Sequence, residues 1–182
     1  MVFLIMKYLK KLILLLSVLS ICLAILSIFS PIIAFRDSEY NYEFIWLWGL
    51  QLNDDAPIEF FTLEDPILII GTLSIIFLIV SLGLMMLSLK SINWFSKLSN
   101  IPINSMFNLI AGFILLITPY FYYYITGSFY SSLFFIDYKF SIGVYIMFWS
   151  GGFAITAGIL RVIKQIFYKN KESENVSKPL IS

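Results

Sequence analysis

Histidine is absent from the chain, and cysteine occurs once, as Cys22 in the middle of an apolar run. The first absence removes imidazole metal sites and Ser-His-Asp triads. The second removes any intramolecular disulfide and the paired thiols that a four-helix membrane thiol oxidoreductase must exchange. Cys22 itself reads as a small buried hydrophobe. Charge is scarce in the same places: across the four stretches 12–35, 66–89, 103–126 and 141–163, Arg161 is the one charged residue. A charge at the centre of a bilayer costs about 2.5–3.5 kcal/mol even on the forgiving insertion scale, so proton pumps and ion-coupled carriers keep one where they need it. Proton-coupled transport and intramembrane acid-base catalysis therefore lose their footing. The formal net charge of +1 gives no basic surface for a nucleic-acid partner, no fixed-spacing metal loop is visible, and no cofactor-binding pattern is found.

What is abundant is apolar surface. The chain has 182 residues, of which 60% are hydrophobic and 18% aromatic, a composition of polytopic membrane proteins. Each of the four stretches exceeds or matches the roughly 20 residues that cross a hydrocarbon core. The fold class is all-α transmembrane: a four-helix bundle over residues 1–168, with a disordered polar tail at 169–182. The first stretch is long, lacks a small-x-small cleavage site and passes through Pro31, so it reads as a retained helix and not as a cleaved signal. Pro66 suits the first turn of the second helix, and Thr118-Pro119 is placed to bend the third. Residues 90–102 place Trp94, Phe95, Leu98 and Ile101 near one side of a short headgroup-level helix.

The sign of the charges sets the threading. Ten lysines and arginines, at positions 7, 10, 11, 90, 97, 161, 164, 169, 171 and 178, fall on one side, and two, Arg36 and Lys139, on the other. The bias places both termini in the cytoplasm and the loops 36–65 and 127–140 outside. Arg161 and Lys164, ending the fourth span, are positioned to reach the interface.

The larger outer loop carries the most patterned polar-bounded stretch. Tyr40, Tyr42, Phe44, Trp46 and Trp48 occupy alternate positions, which on one extended strand through Gly49 and Leu50 puts the five rings on one face and Asn41, Glu43, Ile45 and Leu47 on the other. Gln51 to Pro57 is turn-rich, and Ile58 to Leu63 reads as a second strand, giving a small extracellular hairpin. Alternation within 127–140 adds a third, less regular strand. The rings are expected either to seat the hairpin on the tyrosine cluster Tyr120 to Tyr124, a normal interfacial belt, or to meet a partner. Within the spans, Ser150, Ala154 and Gly158 stand four apart on one face, and Ser74, Ser81 and Ser88 seven apart, as helix-packing stripes.

Four spans with both ends inside, a larger β-structured first loop containing WLWGL and a shorter second loop resemble the claudin and peripheral-myelin-protein superfamily. Trp46 or Trp48 and Gly49-Leu50 correspond to the family's Trp and Gly-Leu; Gln51 stands where a second Trp follows, and the family's two loop cysteines have no counterpart. The resemblance implies that both outer loops join into one small sheet standing on the bundle as a docking platform. The function expected is that of a non-enzymatic protein that acts through contacts, with membrane lipid around it and self-association or another membrane protein as partner. Partner-contact candidates are Tyr40, Tyr42, Phe44, Trp46, Trp48, Gly49 and Leu50. The alternatives are a small channel or transporter subunit lined by Asn108, and a headgroup-level enzyme using Glu64, Asp65 and Asp137.

Overall fold

The computed structural model describes residues 2–36, 42–53, 56–60, 66–89, 103–129 and 138–176. Helix α1 (Val2–Ile28) stops short of Pro31. A proline disfavours helical geometry in the residue before it, and the amides of Phe29 and Ser30 fall back on the Leu26 and Ser27 carbonyls at 3.2 and 3.3 Å, a tightened last turn. The chain then enters strand β1 (Ile33–Arg36). The uncharged run over 12–35 is therefore a helix followed by a strand, which corrects the first span. Ile32 and Ile33 are fully buried by protein, and an apolar run has the same sequence signature whether lipid or protein covers it.

Strands β2 (Tyr42–Ile45), β3 (Leu50–Asn53) and β4 (Ala56–Phe60) follow, then α2 (Pro66–Leu89), α3 (Ile103–Phe129), β5 (Tyr138–Phe140) and α4 (Ile142–Val176). The strands form one antiparallel sheet in the order β4-β3-β2-β1-β5, so the second loop's strand pairs along β1. Both loops contribute to a single sheet. Of the strand expected over 58–63, residues 58–60 belong to β4, which begins at Ala56, and 61–63 lie outside the described residues; of the third, only 138–140 falls within them. Residues 90–102 and Tyr40 lie outside them.

All four helices are long and apolar enough to cross a membrane, over Tyr8–Ile28, Ile67–Leu89, Ile103–Ser128 and Ile142–Phe167. α1 packs along α4, α4 along α3 and α3 along α2, with a shorter contact between α1 and α2. The end of α1, the start of α2, the end of α3 and the start of α4 meet the sheet; the other end of the bundle carries the chain's N-terminal turn. α3 runs unbroken through Pro119. α4 continues to Val176, so residues 169–176 are helical where a disordered tail was expected; Lys and Glu in that stretch are good helix formers.

Apolar side chains cover the outside of the bundle as well as filling its core, and hydroxyls are buried among them. Ser17, Ser20, Ser27, Ser74, Ser81, Ser88, Asn108, Thr118 and Ser150 are buried, while Leu15, Ile79, Ile117 and Trp149 are exposed. Cys22 is on the exposed face, not in the core, because α1 turns Ile21 and Ala24 inward instead. Ser20 and Ser150 clasp α1 to α4, each hydroxyl donating to the other's carbonyl at 2.7 Å.

The 150–154–158 stripe divides between two neighbours. Ser150 meets α1, whereas a Cβ on Gly158 would come within 2.9 Å of the Leu109 side chain on α3. α3 and α4 come closest at another pair: a Cβ on Gly112 would lie 2.8 Å from the Gly151 carbonyl oxygen, and one on Gly151 2.9 Å from that of Gly112.

Candidate functional site

Gly49 decides the local structure of the segment between α1 and α2. Its φ of 82° is available to glycine at little cost, and it closes a three-residue hairpin loop of Leu47, Trp48 and Gly49. The Gly49 amide donates to the Trp46 carbonyl at 3.1 Å, and the Trp46 amide to the Leu50 carbonyl at 3.0 Å, the arrangement of a type I turn with a left-handed residue behind it. The single strand over 40–50 is corrected accordingly: Tyr42 and Phe44 are on β2, Trp46 to Gly49 are the turn, and Leu50 begins β3. Alternation of rings obscured a turn that Gly49 announces.

The sheet has two unlike faces. Ile33 pairs with Ile45 and with Phe140 across the β2-β1-β5 ladder, so all three side chains share one face. That face meets the helices: Ile33 and Ile45 belong to the core, and the Phe140 ring lies 4.7 Å from Tyr123, 5.7 Å from Tyr120 and 6.5 Å from Phe148. The tyrosine cluster thus receives a ring from the second loop. Gln51 is beside Ile45 on this face, and its amide donates to the Glu43 carboxylate at 2.8 Å, a diagonal cross-strand pair.

The opposite face holds Ala34, Phe44 and Leu52, which are in register across β1, β2 and β3. Phe44 is half-buried, while Leu52 is 38% and Trp48 39% exposed. The face carrying Phe44 therefore points away from the bundle, and the face that sequence alternation set opposite to it, with Ile45, is the one that docks.

Docking is done by the turn. Leu47 is 1% exposed, and its backbone carbonyl presses on α2 where Gly71 has no side chain; a Cβ there would overlap the Leu47 oxygen and reach within 3.6 Å of the Tyr122 ring. Trp46 ties the same turn to α1, its indole N–H donating to the Phe29 carbonyl at 3.1 Å. That carbonyl is just beyond the helix end, where a donor is needed. Trp46→Phe keeps the ring and removes the donor, so the hairpin is expected to loosen by about 1 kcal/mol; accelerated limited proteolysis of the outer loop, with no change in helix content by circular dichroism, is the readout.

A second polar constellation, not anticipated from the sequence, occupies the other half of the bundle. Arg161 turns inward: its two terminal nitrogens donate to the Asn104 carbonyl at 3.0 Å and the Ser17 hydroxyl at 3.3 Å. Asn108 donates to the same hydroxyl at 3.3 Å. Arg161 thus reaches the first turn of α3 as well as the side of α1. Asn108 is fully buried and tied to α1 by this contact. The chain matches no protein-family model and no curated protein.

Proposed function

We propose that the chain is a multi-pass membrane protein with both termini cytoplasmic, non-enzymatic, and acting through contacts made by the outward face of its sheet with a second copy or another membrane protein. The bundle, with hydroxyls buried beside its apolar core and leucine and isoleucine also over its outside, suits lipid as its surroundings: in water such a surface associates, whereas in lipid helices pack through small and polar residues. The ten-to-two division of basic residues supports the threading.

The observation that carries the reading is the two-faced sheet. Its bundle face is closed by Ile33, Ile45 and Phe140, yet apolar side chains remain on its other side at Phe44 and Leu52, and Trp48 on the adjoining turn is 39% exposed. Aromatic and aliphatic groups on an otherwise polar projection are what contact hot spots are made of. A strand from the second loop added to strands of the first is also the arrangement that likeness to the claudin and peripheral-myelin-protein superfamily implies, and it supports a platform role.

The test is crosslinking in native membranes followed by pull-down of the tagged chain. Discrete crosslinked species are expected, with Trp48→Ala combined with Leu52→Ala reducing them about tenfold, while Trp46, already spent on the bundle, is left intact. A chain recovered only as an uncrosslinked monomer would end this reading.

A further inference from the structure

We propose that the free edge of β4 takes an extended segment of a second, basic protein as one further strand of the sheet. The proposal deepens the contact reading above and rests on it.

The edge follows from the ladder. The Trp46 amide donates to the Leu50 carbonyl, which makes these two a hydrogen-bonded pair, and bonded and non-bonded pairs alternate along an antiparallel ladder. Phe44 and Leu52, the pair two places on, are therefore bonded as well, and Leu50 and Leu52 direct their backbone groups at β2. Gln51, between them, aims its N–H and C=O at β4, where its partner is Glu59. One place to either side of Glu59, Ile58 and Phe60 turn their N–H and C=O groups away from β3. β4 is the last strand in the order β4-β3-β2-β1-β5, about 14 Å from β1 in the plane of the sheet. Among the described residues no hydrogen bond reaches its outer side.

Such an edge is a template for an incoming strand, and its residues decide which strand. Pro57 has no N–H, and the register shifts between Gln51 and Asn53, so the usable ladder is the half of β4 that carries Ile58 and Phe60. Glu59 stands between these two. Two identical β4 strands paired antiparallel about that residue set Glu59 against Glu59, and like charges directly opposite destabilise a sheet. Pairing about Ile58 instead sets Phe60 against Ala56, which is already matched to Asn53 on the inner side. A second copy also brings the same sign of charge, because residues 36–65 hold eight carboxylates and one arginine. That charge draws in a basic strand, and the position across from Glu59 suits a lysine or arginine.

Full-length protein in detergent, titrated with short peptides, tests the edge. The peptides are alternating valine and lysine, alternating valine and glutamate, and the lysine peptide N-methylated along its backbone. The lysine peptide is expected to bind, and the methylated one to bind about tenfold more weakly, since it has the same charge but has lost its edge hydrogen bonds. The glutamate peptide should be weaker than the lysine one. Ile58→Pro, which removes an outward N–H and leaves the Gln51–Glu59 pair in place, should reproduce the loss with the unmodified peptide; the peptide comparison itself needs no variant to fold. Equal affinity, or none, for the methylated and unmodified peptides overturns strand addition, and equal affinity for the two charges overturns the basic partner. Crosslinking in native membranes separates this edge from the reading beneath it. Species that depend on Trp48 and Leu52 but not on Ile58 keep the platform and remove the edge, whereas a chain with no crosslinked species removes both. An Ile58-dependent species made of this chain alone identifies a second copy as the occupant and overturns the basic partner.

Discussion

Gly151→Val is expected to force α3 and α4 apart and to lower the thermal unfolding midpoint in detergent sharply, while the adjacent Gly152→Ala leaves it in place. The two glycines differ only in direction. A Cβ on Gly151 meets the Gly112 carbonyl oxygen at 2.9 Å and the Leu116 side chain at 3.0 Å, whereas one on Gly152 meets nothing within 4 Å. The obstacle at Gly151 includes helix backbone, which cannot rotate away. Overpacking of this kind costs typically about 1–3 kcal/mol, and valine's branch takes it to the upper end. Gly112→Val should reproduce the loss, because its Cβ meets the Ile155 side chain at 2.6 Å and the Gly151 carbonyl at 2.8 Å. An unchanged midpoint for Gly151→Val would show that the helices do not cross there.

Gly71→Ala should unseat the outer sheet without dissolving the bundle. Even one methyl group overlaps the Leu47 carbonyl oxygen, so the turn must lift. Leu47, now 1% exposed, then loses its burial, worth about 1.5–3 kcal/mol for such a side chain. The expected result is rapid proteolysis within the outer loop and a lowered first unfolding transition, with helical circular dichroism retained. Gly83 on the same helix is the control, since nothing lies within 4 Å of its Cβ position. Gly83→Ala should be neutral or stabilising by up to about 1 kcal/mol through helix propensity. Equal behaviour of the two variants would dismiss the socket at Gly71.

The spans, their number and the presence of outer β-structure were legible in the sequence because each depends on a local property: uncharged length, or alternation. The end of α1 was not, since Ile32 and Ile33 are as apolar as the helix before them and only Pro31 marks the change of element. The face of the hairpin was misread for a related reason. Alternation tells which residues share a face, not which face is covered, and the larger rings drew the assignment away from Ile45. Ser150 and Ala154 are buried, but periodicity on one helix does not say that Ser150 will answer to α1 and Gly158 to α3. Arg161 was visible as the lone charge; its acceptors are 57 and 144 residues away in sequence, and no local pattern connects them.

The pairing of β1 with β5 also has a mechanical side. β1 begins five residues after α1 ends, and β5 ends two residues before α4 starts. The Ser141 amide donates to the Ile32 carbonyl at 2.8 Å and the Gly143 amide to the Pro31 carbonyl at 2.9 Å, so these junctions have little slack. A pull on the sheet is therefore delivered to α1 and α4 together as a single stiff pair. Farther along, the same two helices are joined again by the Arg161–Ser17 contact, partway along each. Load applied to the sheet is expected to reach that contact through the pair.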